Sequence, residues 1–529
     1  METGSAGYSQ QSFTKAFPFN LSSLNIKLSL IVVTILAIYH WRRRKLYALS
    51  WKLEGPPALP IIGNAYVFLA SMDVIFKSMN KMHNKYRRKG HKMYRFWVGP
   101  DFVACLVDIK YICAILNQSL KKGKTYSLLD DQFHNGIFVN PNIPHWRASR
   151  KTIVPVFHFE ILKSYIRIFH KEATILARKW EKYADSGATF NPENDINLAT
   201  FDMVMMSTLG LNPRAQDNPG NQSFMHNFDK LFEITQTRMF NPLLYSNFIC
   251  KLTGLWAEQK KHAADLIKES QKILDQIRER QRKQKANELN ATELDEIRNH
   301  AKSFAELMME SPGYKKEDDS ELISQIVTVI GAGQDTTKSQ NIVTLLMLAL
   351  HPDIQDKVQE EIDRVLGPDP DYCPTYEDLC SLEYIDMVIK ESLRMFPAAP
   401  IITRDVSEDS DYGNGLTLPG GTTVFVSIYA LHRDPRFYPN PDKFDPSRWS
   451  PDLVAQRPAN CFMPFSTGPR NCIGAKYAMM AMKTVLAKLL KTYRVLPSEE
   501  CSRVEDIGFE LRVTIKMNEN SKIRLKRRK

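Results

Sequence analysis

The segment Phe465-Ser-Thr-Gly468-Pro-Arg470-Asn-Cys472-Ile-Gly474 constrains this 529-residue chain more than any other stretch. Gly468 and Gly474 permit a tight loop whose backbone can approach a flat ligand closely. The pattern from Ala475 to Thr492 predicts a helix directly after the loop. Cys472 therefore sits just ahead of a helix N-terminus, where backbone N–H groups and the dipole favour a thiolate, and Arg470 adds a nearby cation. A lone cysteine is ordinarily a small buried hydrophobe. This one has the setting of a sulfur that stays deprotonated, as an axial metal ligand must. The 8 cysteines include no Cys-x-x-Cys pair. That argues against a zinc finger, a thioredoxin-type motif or a disulfide framework, and for a reducing compartment.

Two further patterns stand out before any comparison. Glu321 to Leu350 reads as one long helix containing Gly331-Ala332-Gly333-Gln334-Asp335-Thr336-Thr337. Each mid-helix glycine costs about 1 kcal/mol against alanine, so a purely structural helix should not keep both. Glu391 and Arg394 stand on one helix face, three residues apart. Glu279/Arg282 and Glu361/Arg364 share that spacing and are expected to be surface salt bridges.

Helical patterns run over Ile161–Tyr183, His262–Lys285, Pro352–Leu366 and Leu382–Met395 as well. Strand-like runs are short and late, at Thr422–Ser427 and Leu511–Lys516. No Gly/Ser linker or repeat interrupts the chain beyond residue 60, and 283–320 reads as a solvated connection. The expected class is mainly α with small β-sheets, in one large domain over 61–517. Met203, Met205 and Met206 read as core filler.

At the N-terminus, 21–41 is predominantly apolar and would span roughly 31 Å as a helix. Arg42 to Lys45 follow it directly, which is the reverse of a cleaved signal peptide. The expectation is a single-pass anchor in the endoplasmic reticulum membrane, with 1–20 lumenal and the body cytosolic. The basic flank and the prolines of 42–60 would form a stiff hinge. Net charge is +12, from 71 basic and 59 acidic residues. Arg42–Lys45 and the tail over 518–529 supply most of it, and no basic helix is interleaved with stacking aromatics. Nucleic acid is not an expected partner.

The segment Phe-x-x-Gly-x-Arg-x-Cys-x-Gly resembles the haem-binding signature of the cytochrome P-450 haem-thiolate monooxygenases. The resemblance implies that fold, with haem b held through Cys472 as the metal ligand, inside the signature residues Phe465, Gly468, Arg470 and Gly474. It implies that Gly333 leaves room for dioxygen and that Asp335 and Thr336 form the acid–alcohol pair relaying protons. It assigns Trp146, Arg150, Arg404 and Arg470 to the haem propionates. It makes Glu391, Arg394 and Arg448 a structural charge triad. Phe157-His158-Phe159, Tyr429-Ala-Leu-His432-Arg-Asp-Pro435 and Arg470-Asn-Cys472-Ile-Gly474 look like family 4 and its insect-type relatives. Ala332 stands where several of those carry Glu, which excludes a covalent haem link there. Gln334 replaces their usual His, and fatty-acid hydroxylation becomes less firm.

The function so implied is O2-dependent hydroxylation of a lipophilic substrate: a fatty acid, hydrocarbon, steroid or xenobiotic. Segments 126–138, 232–245 and 398–403 match those lining the family's substrate pocket. NADPH and FAD/FMN would act only through a membrane-bound NADPH–cytochrome P-450 reductase, with cytochrome b5 as a further donor. Lys476 would help meet the acidic face of that partner. The alternatives on the same scaffold are an isomerase or a C–C cleaving enzyme. A haem-binding protein without turnover is the alternative from another class.

Overall fold

The computed structural model describes residues 21–218, 222–286, 303–311 and 319–528. The chain divides after Lys52 into a short N-terminal unit and a body from Leu53 to Lys529. The first unit contains the helices Leu21–Arg42 and Arg44–Lys52. From Ile26 to Trp41 its large apolar side chains are exposed. Among the described residues no helix is long and apolar enough to cross a membrane, which corrects the expected transmembrane anchor over 21–41. Asn25 and Lys27 break its first third, and the apolar run Leu28–Tyr39 covers only about 18 Å as a helix. That falls short of the roughly 30 Å of a bilayer core. The segment expected to be lumenal, 1–20, lies outside the described residues.

The prolines are not a free hinge. Pro57 O accepts from Asn64 Nδ2 at 2.6 Å and from Tyr66 Oη at 3.0 Å. Glu54 O accepts from Arg95 N at 2.9 Å. Residues 54–60 are therefore bonded to the body's own backbone and side chains.

Helix Phe159–Ser186 follows from its pattern: Leu162, Ile166, Phe169, Ala173, Leu176 and Trp180 recur every three or four residues and are all buried. Gly187 ends it in the left-handed conformation, φ 65°. Helix Ser320–Leu350 is apolar almost all round and buried along nearly its whole length, as an interior helix must be. It packs on Glu193–Val204, Leu255–Lys285, Glu383–Met395 and Ala475–Thr492. Helix Pro352–Leu366 begins at a proline and stops at Gly367.

Glu361 departs from its expected place on the surface. It is buried, and its carboxylate accepts from the backbone N–H groups of Tyr384 at 2.7 Å and Ile385 at 2.9 Å. It thereby caps helix Glu383–Met395 with a negative charge where the dipole favours one. Exposed Arg364 is 4.0 Å away. Glu279 and Arg282 do form an exposed pair, at 2.8 Å.

The largest sheet has four strands in the order Met93–Val98, Asp101–Leu106, Thr423–Ser427 and Ile401–Asp405. Its middle pairing is parallel and the outer two are antiparallel. The run expected as one strand over Leu511–Lys516 is a hairpin instead, pairing Phe509–Leu511 with Ile515–Met517. Arg512 N bonds Thr514 O at 2.9 Å across its turn. The tail is not a loose basic segment either. Its Ile523–Arg527 is a strand paired with Tyr493–Pro497, and Arg527 and Arg528 reach Asp185 and Asp363.

One core cluster joins the long helices, with Met203, Met205 and Met206 buried in it. Of the connection expected over 283–320, Phe304–Met309 is a helix with a capping box between Ser303 and Glu306, and Phe304 and Ala305 are buried in the same core. The greater part of that connection lies outside the described residues.

Candidate active site

A cavity of about 280 Å³ lies between helix Ser320–Leu350 and the cysteine loop. The loop owes its shape to its own backbone: Cys472 N bonds Phe465 O at 2.9 Å, and Asn471 N bonds Gly468 O at 3.0 Å. Gly468 has φ 75°, and a Cβ there would overlap Leu116 O. Gly468 is thus required by close approach to helix Ile109–Gln118, and it is not among the residues lining the cavity. Phe465, Arg470, Cys472 and Gly474 do line it.

Cys472 is exposed onto the cavity. Desolvation pushes its thiol pKa up. The N–H of Gly474 and the cations of Arg150 and Lys122 pull it down without winning. This corrects the expectation that the loop alone keeps the sulfur deprotonated: displaced water outweighs one backbone donor and two nearby cations. A coordinating metal would supply the difference.

Arg470 does not serve the sulfur. Its guanidinium lies on the Trp146 ring, 4.0 Å from the centroid. It donates to Leu120 O at 2.9 Å, Ile137 O at 3.2 Å and Asn140 O at 2.7 Å. Arg150 donates to Asn471 O at 2.9 Å and Asn471 Oδ1 at 2.7 Å. Arg404 is 1% exposed, gives Nη1 to Thr403 O at 2.9 Å, and leaves Nε without a partner. Lys122, which no sequence motif singled out, completes the group on the same cavity.

These four cations repel one another. Burial, then Arg404, Arg470 and Arg150, holds Lys122 well below the usual lysine range. Burial, then Arg404 and Arg150, brings Arg470 down to about 9, and burial lowers Arg404. None of the four pairs with a carboxylate among the described residues. Convergent cations, two buried and two half-buried, without an anion fit a ligand that brings its own negative charge. A thiol, an apolar chamber and four uncountered cations suit the haem and its two propionates that the sequence resemblance implies.

Across the cavity, Ala332, Gly333 and Thr336 are the accessible positions in a helix otherwise buried around them. Thr336 Oγ1 donates to Ala332 O at 2.8 Å. The two glycines have packing reasons: a Cβ on Gly331 would overlap the Phe228 ring, and one on Gly333 would stand 3.0 Å from Val204 Cγ2. The clearance at Gly333 is thus spent on Val204 as well as on the cavity. Asp335 lines the cavity too, but both its oxygens are engaged, Oδ1 by Lys338 Nζ at 2.9 Å and Oδ2 by the hydroxyl of Thr514. Lys338 and Thr514 were absent from the sequence reading. Lys338 was legible in principle, being three residues after Asp335 on a helix; Thr514 comes from a distant hairpin turn and was not.

Of the expected pocket segments, Tyr126, Phe133, Ile137 and Phe138 line this cavity, with Phe232, Ala398, Ala399, Ile401 and Ile402. Met239 and Phe240 line a second apolar cavity of about 150 Å³, which shares Tyr126, Ile401 and Val513 with the first. Away from both, Glu391 and Arg394 are fully buried and form two bonds, at 2.8 and 2.9 Å. Arg448 Nε stands 3.3 Å from Glu391.

The model of the family described as cytochrome P450 matches residues 53–519. Human cytochrome P450 4V2 is 31% identical over 502 residues, covering 91% of this chain and 92% of its own. Cytochrome P450 4c21 of Blattella germanica is 30% identical, covering 92% and 96%. Cytochrome P450 4c3 of Drosophila melanogaster is 30% identical, covering 90% and 89%.

Proposed function

The chain belongs to the cytochrome P450 family of haem-thiolate monooxygenases, and on that premise we propose that it hydroxylates a lipophilic substrate with electrons from NADPH. The enzyme is an oxidoreductase whose cofactor is haem b. The observation that carries the reading is one cavity bounded by the Cys472 sulfur, the Thr336 hydroxyl and four uncountered cations.

Haem b, when bound, supplies the reductive activation of O2 and the insertion of one oxygen atom into a C–H bond. Cys472 holds it from the loop side. Arg150, Arg404 and Arg470, with Lys122, would neutralise the propionates, and the Trp146 ring stacks on Arg470. Thr336 would present its hydroxyl to the bound group, and Asp335 would exchange protons with it on leaving its bonds to Lys338 and Thr514. Phe133, Ile137, Phe138 and Phe232 exclude water and hold an apolar substrate.

NADPH–cytochrome P450 reductase is the proposed donor, with cytochrome b5 able to give the second electron. Exposed Lys476, beside the cysteine loop, offers positive charge to an acidic docking face. The exposed apolar side chains of helix Leu21–Arg42 support attachment to the endoplasmic reticulum membrane.

The test is Cys472→Ser. The purified variant is expected to lose the reduced-CO absorption of a haem thiolate, and NADPH consumption coupled to product should disappear with it. A variant that kept both would remove Cys472 as the ligand.

A further inference from the structure

Lys338 takes no part in the reading above, yet its surroundings are built around it. Its side chain is 3% exposed, and its Nζ lies 2.9 Å from Asp335 Oδ1. Neither Asp335 oxygen bonds the Thr336 hydroxyl, which donates to Ala332 O instead. Glu193, at the start of helix Glu193–Val204, holds Oε1 3.9 Å from the same Nζ. That is too long for a hydrogen bond and within reach of one rotamer change. Glu193 is 22% exposed, and among the described residues its one other ion pair is with part-exposed Lys516 at 3.7 Å. Burial works against the Lys338 ammonium, but Asp335, Asp229 and Glu193 outweigh it and hold it well above the ordinary lysine range. Lys338 therefore keeps its proton and must always face an anion.

We propose that Lys338 is a positioning residue that holds Asp335 off Thr336, and that Glu193 takes Lys338 over when Asp335 turns to Thr336. The inference rests on Asp335 and Thr336 as the proton-handling pair. In one state Lys338 pairs with Asp335. In the other it pairs with Glu193, and Asp335 bonds the Thr336 hydroxyl. The exchange never leaves the buried ammonium alone; Glu193 gives up a long surface contact of little value, and Asp335 gives up its bond from the Thr514 hydroxyl for one to Thr336. A proton taken from solvent hydronium by the Asp335 carboxylate, which leaves neutral water behind, passes to the Thr336 oxygen as that hydroxyl's own proton moves into the cavity. Asp335 returns to Lys338 as a carboxylate, and Lys338 and Glu193 end with the protons they began with.

Two measurements on the holoprotein decide this. The first is a thermal-unfolding cycle of wild type, Glu193→Gln, Asp335→Asn and the double variant. Without the Asp335 carboxylate Lys338 is left with Glu193 and the longer-range charge of Asp229, so the double variant should unfold about 2 °C or more below the sum of the single effects. Additive effects overturn the exchange. The second is reconstituted turnover. Glu193→Gln should cut product per NADPH by about three-fold or more and raise the solvent isotope effect, with the substrate-induced spin-state shift unchanged. Lys338→Arg should retain coupling that Lys338→Met loses. Wild-type product yield in Glu193→Gln overturns the proposal, and this arm stands even where Asp335→Asn does not fold, because Glu193 is part-exposed. A wild-type protein that oxidises nothing would count against the proposed function, while the unfolding cycle would still judge the exchange.

Discussion

Glu391 shows how much one buried carboxylate can organise. Its oxygens accept from Arg394 Nε and Nη2, from Asp445 N at 3.0 Å and from Trp449 Nε1 at 3.1 Å. Arg394 passes the order on, donating Nη1 to His432 O at 3.0 Å and to Pro441 O at 2.7 Å. Glu391→Gln would leave the Arg394 cation buried without its counter-charge, a loss of about 3–5 kcal/mol. Its denaturation midpoint and its yield of haem-loaded protein are both expected to fall sharply, with Arg448→Lys falling less. Glu172 is the opposite case. Burial first, then Asp202, pushes its carboxyl up to about 7, against the pull of Gln216 at 2.8 Å. The folded protein binds that proton more tightly than the unfolded chain, so this residue's contribution is full below about 4.5 and is lost as pH rises through about 7. Glu172→Gln is therefore expected to gain up to about 3 kcal/mol on the wild type between pH 5 and pH 8, read as the difference in unfolding midpoints. Glu391 and Arg394 were legible from spacing plus resemblance. Glu361 was misread because spacing reports which residues share a helix face, not what the next helix brings against that face.

At the scale of elements, the helices were the legible part. Ala475–Thr492 and Pro352–Leu366 run as their periodicity predicts, since apolar spacing near 3.6 has one low-energy outcome in a long segment. The hairpin over 509–517 was not legible, because the alternating run Leu-Arg-Val-Thr-Ile-Lys reads as one continuous strand and carries no mark of where it turns. The two glycines of helix Ser320–Leu350 give a direct contrast. Gly331→Ala would drive a methyl into the Phe228 ring, and its overpacking penalty of about 1–3 kcal/mol exceeds the roughly 1 kcal/mol gained in helix propensity. Gly333→Ala meets only the end of Val204 at 3.0 Å. The expected result is a lowered unfolding midpoint for the first and a change near zero for the second.

For the whole molecule, the basic tail is part of the folded body and not a free charged segment. Five of the six tail cations sit on a paired strand or on the residues flanking it, where Lys522, Arg527 and Arg528 meet Glu500, Asp185 and Asp363. Deleting 518–529 is expected to strip the partner strand from Tyr493–Pro497, expose Val495 and Tyr493, and give protein that does not retain haem. A truncation with wild-type absorption and midpoint would make the tail dispensable.

The sequence by itself determined the helical class, the family and the one cysteine that faces the cavity. Those depend on local periodicity and on a contiguous loop whose glycines admit a single shape. Only the tertiary structure decided that Lys122 joins three distant arginines, that Arg470 serves Trp146 rather than the sulfur, and that Asp335 is held by Lys338 and Thr514. Each of these joins residues far apart in the chain or depends on the burial around them. Burial and like-charge repulsion exist only once those residues have been brought together in low dielectric.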